Sequence, residues 1–139
     1  MLEENKAIVE RLLKAFNEGN LDVLDELVAP DFVGHVGCIP EDLQGPAGLK
    51  GFFGTTRAAM PDVCHPSWTL IAERDLVVTH TRLEGTFTNE FMGIPPNGKK
   101  VVVWMGNIWR LVDGKAVEWW VNMDTLGFMQ QLGAIPPME

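Results

Sequence analysis

VVVWMGNIWRLVDGKAVEWWVNM (Val101–Met123) decides the architecture of this chain. Asp113-Gly114 is a strong two-residue hairpin signal, and it separates two runs of strand-like residues, Val101 to Val112 and Lys115 to Met123. In the first run Val103, Met105, Asn107, Trp109 and Leu111 share one face; Val102, Trp104, Gly106 and Ile108 share the other. Both faces are apolar, so both must be covered.

Working outward, the same period of two extends upstream. Trp68, Leu70 and Ala72 begin a strand that turns at Glu73-Arg74-Asp75, and Leu76 to Thr88 forms the next one. GIPPNGKK (Gly93–Lys100) is a proline-stiffened turn leading into the decisive hairpin. Before Pro61 the period is helical. Ile8, Leu12, Ala15 and Phe16 line a first helix from about Glu3 to Glu18, closed by Gly19. A second helix is expected over Leu21 to Val28, with Asn20 as its cap and Pro30 beyond its end. Asp31 to Val36 reads as a short strand, and Ala47 to Met60 as a third helix whose apolar set includes Leu49, Phe52 and Phe53. A last helix is expected from Thr125 to Leu132.

Helices followed by an antiparallel meander make an α+β domain spanning residues 1–139. A curved sheet wrapped around N-terminal helices forms a cone with a pocket inside. The helices cover one face only, and a second copy of the chain most simply covers the other, so a homodimer is expected.

Composition narrows the function. A net charge of -8 argues against nucleic acid and anionic membrane as partners, because phosphate binding needs a basic face. No apolar run approaches the roughly 20 residues that span a bilayer, and the charged, amphipathic start MLEENKAIVERLL is unlike a signal peptide. Cys38 and Cys64 have neither CxxC spacing nor a neighbouring ligand cluster, so no metal site is expected. Two free thiols fit an intracellular, cytoplasmic protein.

LDVLDELVAPDFVGH (Leu21–His35), GPAGLKGFFGTTRAAMPD (Gly45–Asp62), FMGIPPNGKKV (Phe91–Val101) and VDGKAVEWWVNMDTLGFMQQLG (Val112–Gly133) occur in the order found in the SnoaL-like polyketide cyclases. The chain resembles that branch of the nuclear transport factor 2-like superfamily over nearly its whole length. The resemblance implies the cystatin-like α+β barrel and an apolar pocket for a small hydrophobic molecule. It also implies ring closure by an intramolecular aldol reaction, with a carboxylate as base and no cofactor. Where family members often carry His-x-Asp on the last strand, this chain has Trp119 and Val121; the later acid, Asp124, is retained. His35 matches the usual histidine at the end of the first strand, and Asn107 stands where a polar residue is common.

The catalytic candidates are therefore Asp124, His35 and Asn107, with Trp109, Trp119, Val121, Met105, Phe16 and Phe53 as the walls of the pocket. Asp124 has a second reading, as N-cap of the last helix. Strict alternation puts it opposite to Trp119 and Val121, facing away from them unless a bulge intervenes. His80, Arg82 and Glu84 share one strand face, either a solvated row or a polar wall of the cone. Tyrosine is absent, which weighs against a ketosteroid-isomerase-like oxyanion hole. Arg82 with Asp124 is a faint echo of an epoxide-hydrolase-like set. The contrasting class is a non-catalytic binder of hydrophobic ligands, and the discriminator is whether a carboxylate projects into the cavity.

Overall fold

The computed structural model describes residues 1–136 and 138. Helix α1 (Leu2–Glu18) buries Val9, Leu12, Leu13, Ala15 and Phe16 along one stripe. Gly19 stops it at φ 71°, its N–H donating to the Phe16 carbonyl while that of Asn20 reaches Ala15. A residue with a Cβ enters this left-handed conformation only at a cost, so glycine is the natural terminator.

The second helix departs from expectation. After one 3-10 turn (Leu21–Val23), the helix α2 (Leu24–Leu27) lasts a single turn, and Val28 already opens strand β1 (Val28–Val36). Pro30 lies inside that strand rather than beyond a helix. The pairing of β1 shifts register between Val28 and Val33, and an irregularity of this kind is where a strand tolerates a residue without an N–H.

There follow β2 (Leu43–Gln44), α3 (Gly45–Ala59), β3 (Trp68–Glu73), β4 (Leu76–Thr86), β5 (Lys100–Val112), β6 (Lys115–Val121) and α4 (Thr125–Leu132). They build one six-stranded sheet of order β2-β1-β6-β5-β4-β3. The expected meander is β3 to β6, paired antiparallel throughout. Its tight turn carries Asp113 and Gly114 at φ 51° and 79°, as a primed two-residue turn requires. Outside the meander the pairing changes sense: β1 runs parallel to β6, where the sequence alone suggests an antiparallel curved sheet. The sheet is therefore mixed, and the domain is α+β, an open curved sheet with its helices on one side.

On the inner face of β5, Val101, Val103, Met105, Asn107, Trp109 and Leu111 are all buried. Helices α1 and α4 pack on the sheet from this side, and α3 packs on β1. On the outer face Trp104 is 53% exposed. No helix among the described residues is long and apolar enough to cross a membrane.

Helix α4 is fastened to the sheet through one side chain. Gln131 donates from Nε2 to the Val102 carbonyl at 2.8 Å and accepts the Val102 N–H on Oε1 at 2.7 Å. The amide thus pairs with a backbone edge of β5 that β6, whose pairing begins at Ile108, does not reach. Gln131→Ala leaves both backbone groups without that partner. It should destabilise the fold by about 1–3 kcal/mol in urea unfolding and speed hydrogen exchange at the Val102 amide; an unchanged amide would show that the pairing is not formed in solution.

Candidate functional site

An apolar cavity lies between the inner face of the sheet and the helices. Leu12, Leu13 and Phe16 of α1, Phe52, Phe53 and Thr56 of α3, and Phe128 of α4 form one side. Leu83, Met105, Asn107, Trp109 and Trp119 form the sheet side, and Cys38, His65, Phe91 and Met123 close it from connecting segments. The volume open to the centre of a water-sized sphere is about 50 Å³. That is room for roughly three to five waters, so the cavity would admit a larger molecule only if flexible lining side chains such as Met105 and Met123 moved.

Its back wall is aromatic. Trp109 and Trp119 are direct partners across β5 and β6, and their rings stack at 4.6 Å with planes 16° apart. Phe32 stacks on Trp109, and Phe53 meets Trp119 edge-on at 6.0 Å. Phe16 stands edge-on to Phe53 at 5.0 Å and also lies 5.0 Å from the ring of His65. The indole Nε1–H groups of Trp109 and Trp119 are buried and have no acceptor among the described residues. An unpaired buried donor costs about 1–3 kcal/mol, a penalty that a ligand oxygen could relieve.

Asn107 is held by its carbonyl oxygen, which accepts the Asn122 N–H at 3.0 Å. Its amide nitrogen has no protein acceptor among the side-chain hydrogen bonds, which leaves a donor on the cavity wall. His65 occupies the aperiodic connection between α3 and β3. Its Nδ1 lies 3.1 Å from the Arg82 carbonyl. Burial pushes its pKa below 6.5, partly opposed by that hydrogen bond. Burial also pushes the Cys38 thiol up, so it stays protonated at neutral pH.

The expected residues divide. Asn107, Trp109, Trp119, Met105, Phe16 and Phe53 all meet at the cavity. Val121 is buried in the core but does not line the cavity; two residues further on, Met123 takes that place and bridges Met105. The placement of His35 at the pocket is corrected. On β1 it is Phe32, Gly34 and Val36 that are buried, so alternation turns His35 to the outer face. There Nε2 meets Glu118 at 2.8 Å, Nδ1 meets Asp42 at 3.1 Å, and the ring stacks on Trp120. Glu118, followed by Asp42, raises the His35 pKa above 6.5. Asp124 is likewise corrected: its carboxylate accepts the Gly127 N–H at 2.9 Å, capping α4, and is exposed away from the cavity. Arg82 and Glu84 pair with each other at 2.8 Å on the outer face, and His80 stacks on Trp104 there. That row is the solvated alternative, not a wall of the cone.

His65 is the residue that periodicity did not single out. Its sequence signal is its position, an imidazole between Pro61 and Pro66 in a connection where no face of a helix or strand claims it.

A curved sheet closed over an apolar cavity by helices is the nuclear transport factor 2-like architecture. The chain belongs to the SnoaL-like polyketide cyclase family, whose model matches residues 6–132. Nogalonic acid methyl ester cyclase of Streptomyces nogalater is 27% identical over 123 residues, covering 88% of this chain and 92% of that protein. IdmH of Streptomyces antibioticus, a candidate polyketide cyclase, superposes with a TM-score of 0.79 at 34% identity, over 93% of this chain and 98% of its own. AclR of Streptomyces galilaeus, a candidate hydroxylase, reaches a TM-score of 0.85 at 26% identity, over 100% of this chain and 87% of its own. The fold thus frames different chemistries, and the side chains in the cavity must decide which one operates.

The two tuned imidazoles can be watched directly. Ring resonances followed by NMR should give a titration midpoint above pH 6.5 for His35 and below it for His65, from the directions of their shifts. Midpoints in the reverse order would refute this assignment of inner and outer faces.

Proposed function

We propose that this chain is a cyclase-like enzyme that works by cofactor-free acid–base chemistry on an apolar, ring-bearing carbonyl compound held in the cavity. The observation that carries this reading is the pairing of an aromatic enclosure with N–H donors on its wall: the buried indoles of Trp109 and Trp119, which have no acceptor among the described residues, and the amide of Asn107, whose oxygen is held by the Asn122 N–H. Apolar walls bind a flat ligand by removing its surface from water, at about 25 cal/mol per Å². The donors orient a carbonyl oxygen and hold the negative charge that develops there when a neighbouring carbon loses a proton. The membership in a cyclase family supports the same direction: the resulting enolate carbon attacks a second carbonyl of the same molecule and closes a ring.

A second reading has a specific observation behind it. No carboxylate is among the described residues lining the cavity, so a protein that only holds a hydrophobic ligand is the natural alternative. Uptake of solvent deuterium next to the carbonyl of 2-tetralone, above the protein-free rate, separates the two. Binding without uptake marks a binder.

The donor role of Asn107 is tested by comparing 2-tetralone with tetralin, the hydrocarbon of the same ring system. Asn107→Leu should weaken the ketone by roughly 3–10-fold, the value of one hydrogen bond, and leave tetralin nearly unchanged, as read by quenching of tryptophan fluorescence. Damage to the fold from the unpaired Asn122 N–H falls on both ligands and cancels. Equal losses would remove Asn107 from the site.

We also propose that the active form is a homodimer joined through the outer face. Trp104 and Ile71, 53% and 60% exposed on that sheet, are the apolar surface that favours it. Trp104→Glu should convert the dimer to a monomer in sedimentation at micromolar concentration, since burying an unpaired charge is costly. A wild-type monomer under the same conditions would rule the dimer out.

A further inference from the structure

We infer that His65 is the proton acceptor of the cavity, the base that abstracts a proton from the carbon beside the ligand carbonyl. This rests on the enzymatic reading above. Among the described residues lining the cavity only Cys38 and His65 carry titratable side chains. The thiol is held protonated, and the family-like acid Asp124 is committed to capping α4 outside. A base must reach its proton directly or through one water, which leaves the imidazole.

The geometry fixes both its place and its tautomer. Asn17, at the end of α1, clamps the His65 backbone from both sides, accepting its N–H at 2.7 Å and donating to its carbonyl at 2.9 Å. The ring is fastened at Nδ1 by the Arg82 carbonyl. A carbonyl oxygen can only accept, so in the neutral ring Nδ1 carries the hydrogen and Nε2 keeps the lone pair. Nε2 has no hydrogen-bond partner among the described residues, and the ring stands against Phe16 on the cavity wall. The Asn17 clamp fixes the backbone of this irregular connection and the Arg82 carbonyl fixes the ring, so the imidazole is held in one orientation.

Charged groups come close from two elements. Arg57 of α3 turns its guanidinium to the carbonyls of Phe16 and Asn17, and Arg82 of β4 is paired with Glu84 on the outer face. Burial and the Arg82 carbonyl are the groups that set the titration of the ring, and they keep it neutral at pH 7.

The step balances without a co-reactant. Nε2 of His65 takes the proton, and the former C–H pair becomes the π bond of the enolate. The carbonyl π pair moves to the oxygen held by the N–H donors. The enolate π pair then forms the bond to a second carbonyl carbon while the pair on the enolate oxygen re-forms the first carbonyl, and the second carbonyl's π pair moves to its own oxygen, which takes the proton back from the imidazolium. Substrate and product are isomers, and His65 ends neutral.

The test is uptake of solvent deuterium by 2-tetralone, measured with its binding. His65→Gln should lower uptake by on the order of 10²-fold or more, the range of general base catalysis, while the dissociation constant from fluorescence quenching changes less than about threefold. In the wild-type protein the uptake should fall on the acid side with a midpoint below pH 6.5 that coincides with the NMR titration of His65. This second measurement holds even where His65→Gln folds poorly. Uptake retained in His65→Gln, or a wild-type acid limb that does not follow the His65 titration, overturns the role of His65 and leaves the enzymatic reading standing. Wild-type protein that binds 2-tetralone without uptake at any pH overturns both and leaves a binder.

Discussion

The stack of Trp109 on Trp119 is the contact on which the rest of this structure depends. It sits at a direct cross-strand pair of β5 and β6, so it pins the register of the hairpin from which the sheet is built. A slip of β6 by one residue would turn the Trp119 indole to the outer face, bring Trp120 inward and break the stack. The β6 bulge raises the stakes: Arg110 pairs with Glu118 but Leu111 with Ala116, so Val117 is an extra residue. Beyond it only the side chains can hold the alternation in phase. Phe32, Phe53 and Phe16 then continue the aromatic contacts into β1, α3 and α1. The helices are thereby seated around a cavity rather than against a filled core. The same stack leaves two indole N–H groups buried without acceptors, a cost of about 1–3 kcal/mol each. A core selected for stability alone would use phenylalanine there.

The sheet separates two kinds of chemistry. Outside, His35 bridges Glu118 and Asp42, and Arg110 pairs with Asp75 at 2.7 Å and lies over Trp120. These groups are about a third or more open to water, and such pairs contribute little to stability. Inside, a single imidazole is held by burial. The two histidines therefore bias stability in opposite directions. The contribution of His35 is present below pH 6.5 and is lost as pH rises through its raised folded value. That of His65 is present above pH 6.5 and is lost as pH falls through its lowered folded value.

Much of this was legible where a local rule had nothing competing with it. The alternation of Val103 to Leu111, the Asp113-Gly114 turn and the Gly19 stop each follow from neighbours within a few residues. Strict alternation also placed Asp124 away from Trp119, and the structure resolves its two readings in favour of the cap. The same rule applied to β1 turns His35 outward, but only once the strand is seen to begin at Val28, where the sequence alone suggests a helix. Pro30 stands in an irregularity of β1, a use of proline that cannot be told from helix termination without the partner strand. The parallel pairing of β1 with β6 joins residues some 80 positions apart in the numbering, and no local pattern encodes it. His65 escaped for the opposite reason. It lies in no periodic element, and what makes it notable is the convergence of Asn17, Arg82 and Phe16 on it in space.

An imidazole base also constrains what the cavity can act on. Desolvation keeps the ring unprotonated, so nearly every molecule carries a competent base at neutral pH, but the same desolvation makes that base weaker. Proton transfer is efficient when donor and acceptor are matched. A neutral histidine with a depressed pKa therefore suits a carbon whose C–H is already acidified by a carbonyl on each side, or by a carbonyl and an aromatic ring. A simple aliphatic ketone would ask too much of it. In the proposed reaction the indole and amide donors would act on the other side of the same balance, lowering the energy of an enolate oxygen where water cannot. A carboxylate in this enclosure would have carried its charge into an apolar wall at high cost. Replacing it by a neutral base spares the cavity that charge until the proton moves, when imidazolium and enolate form together as a pair.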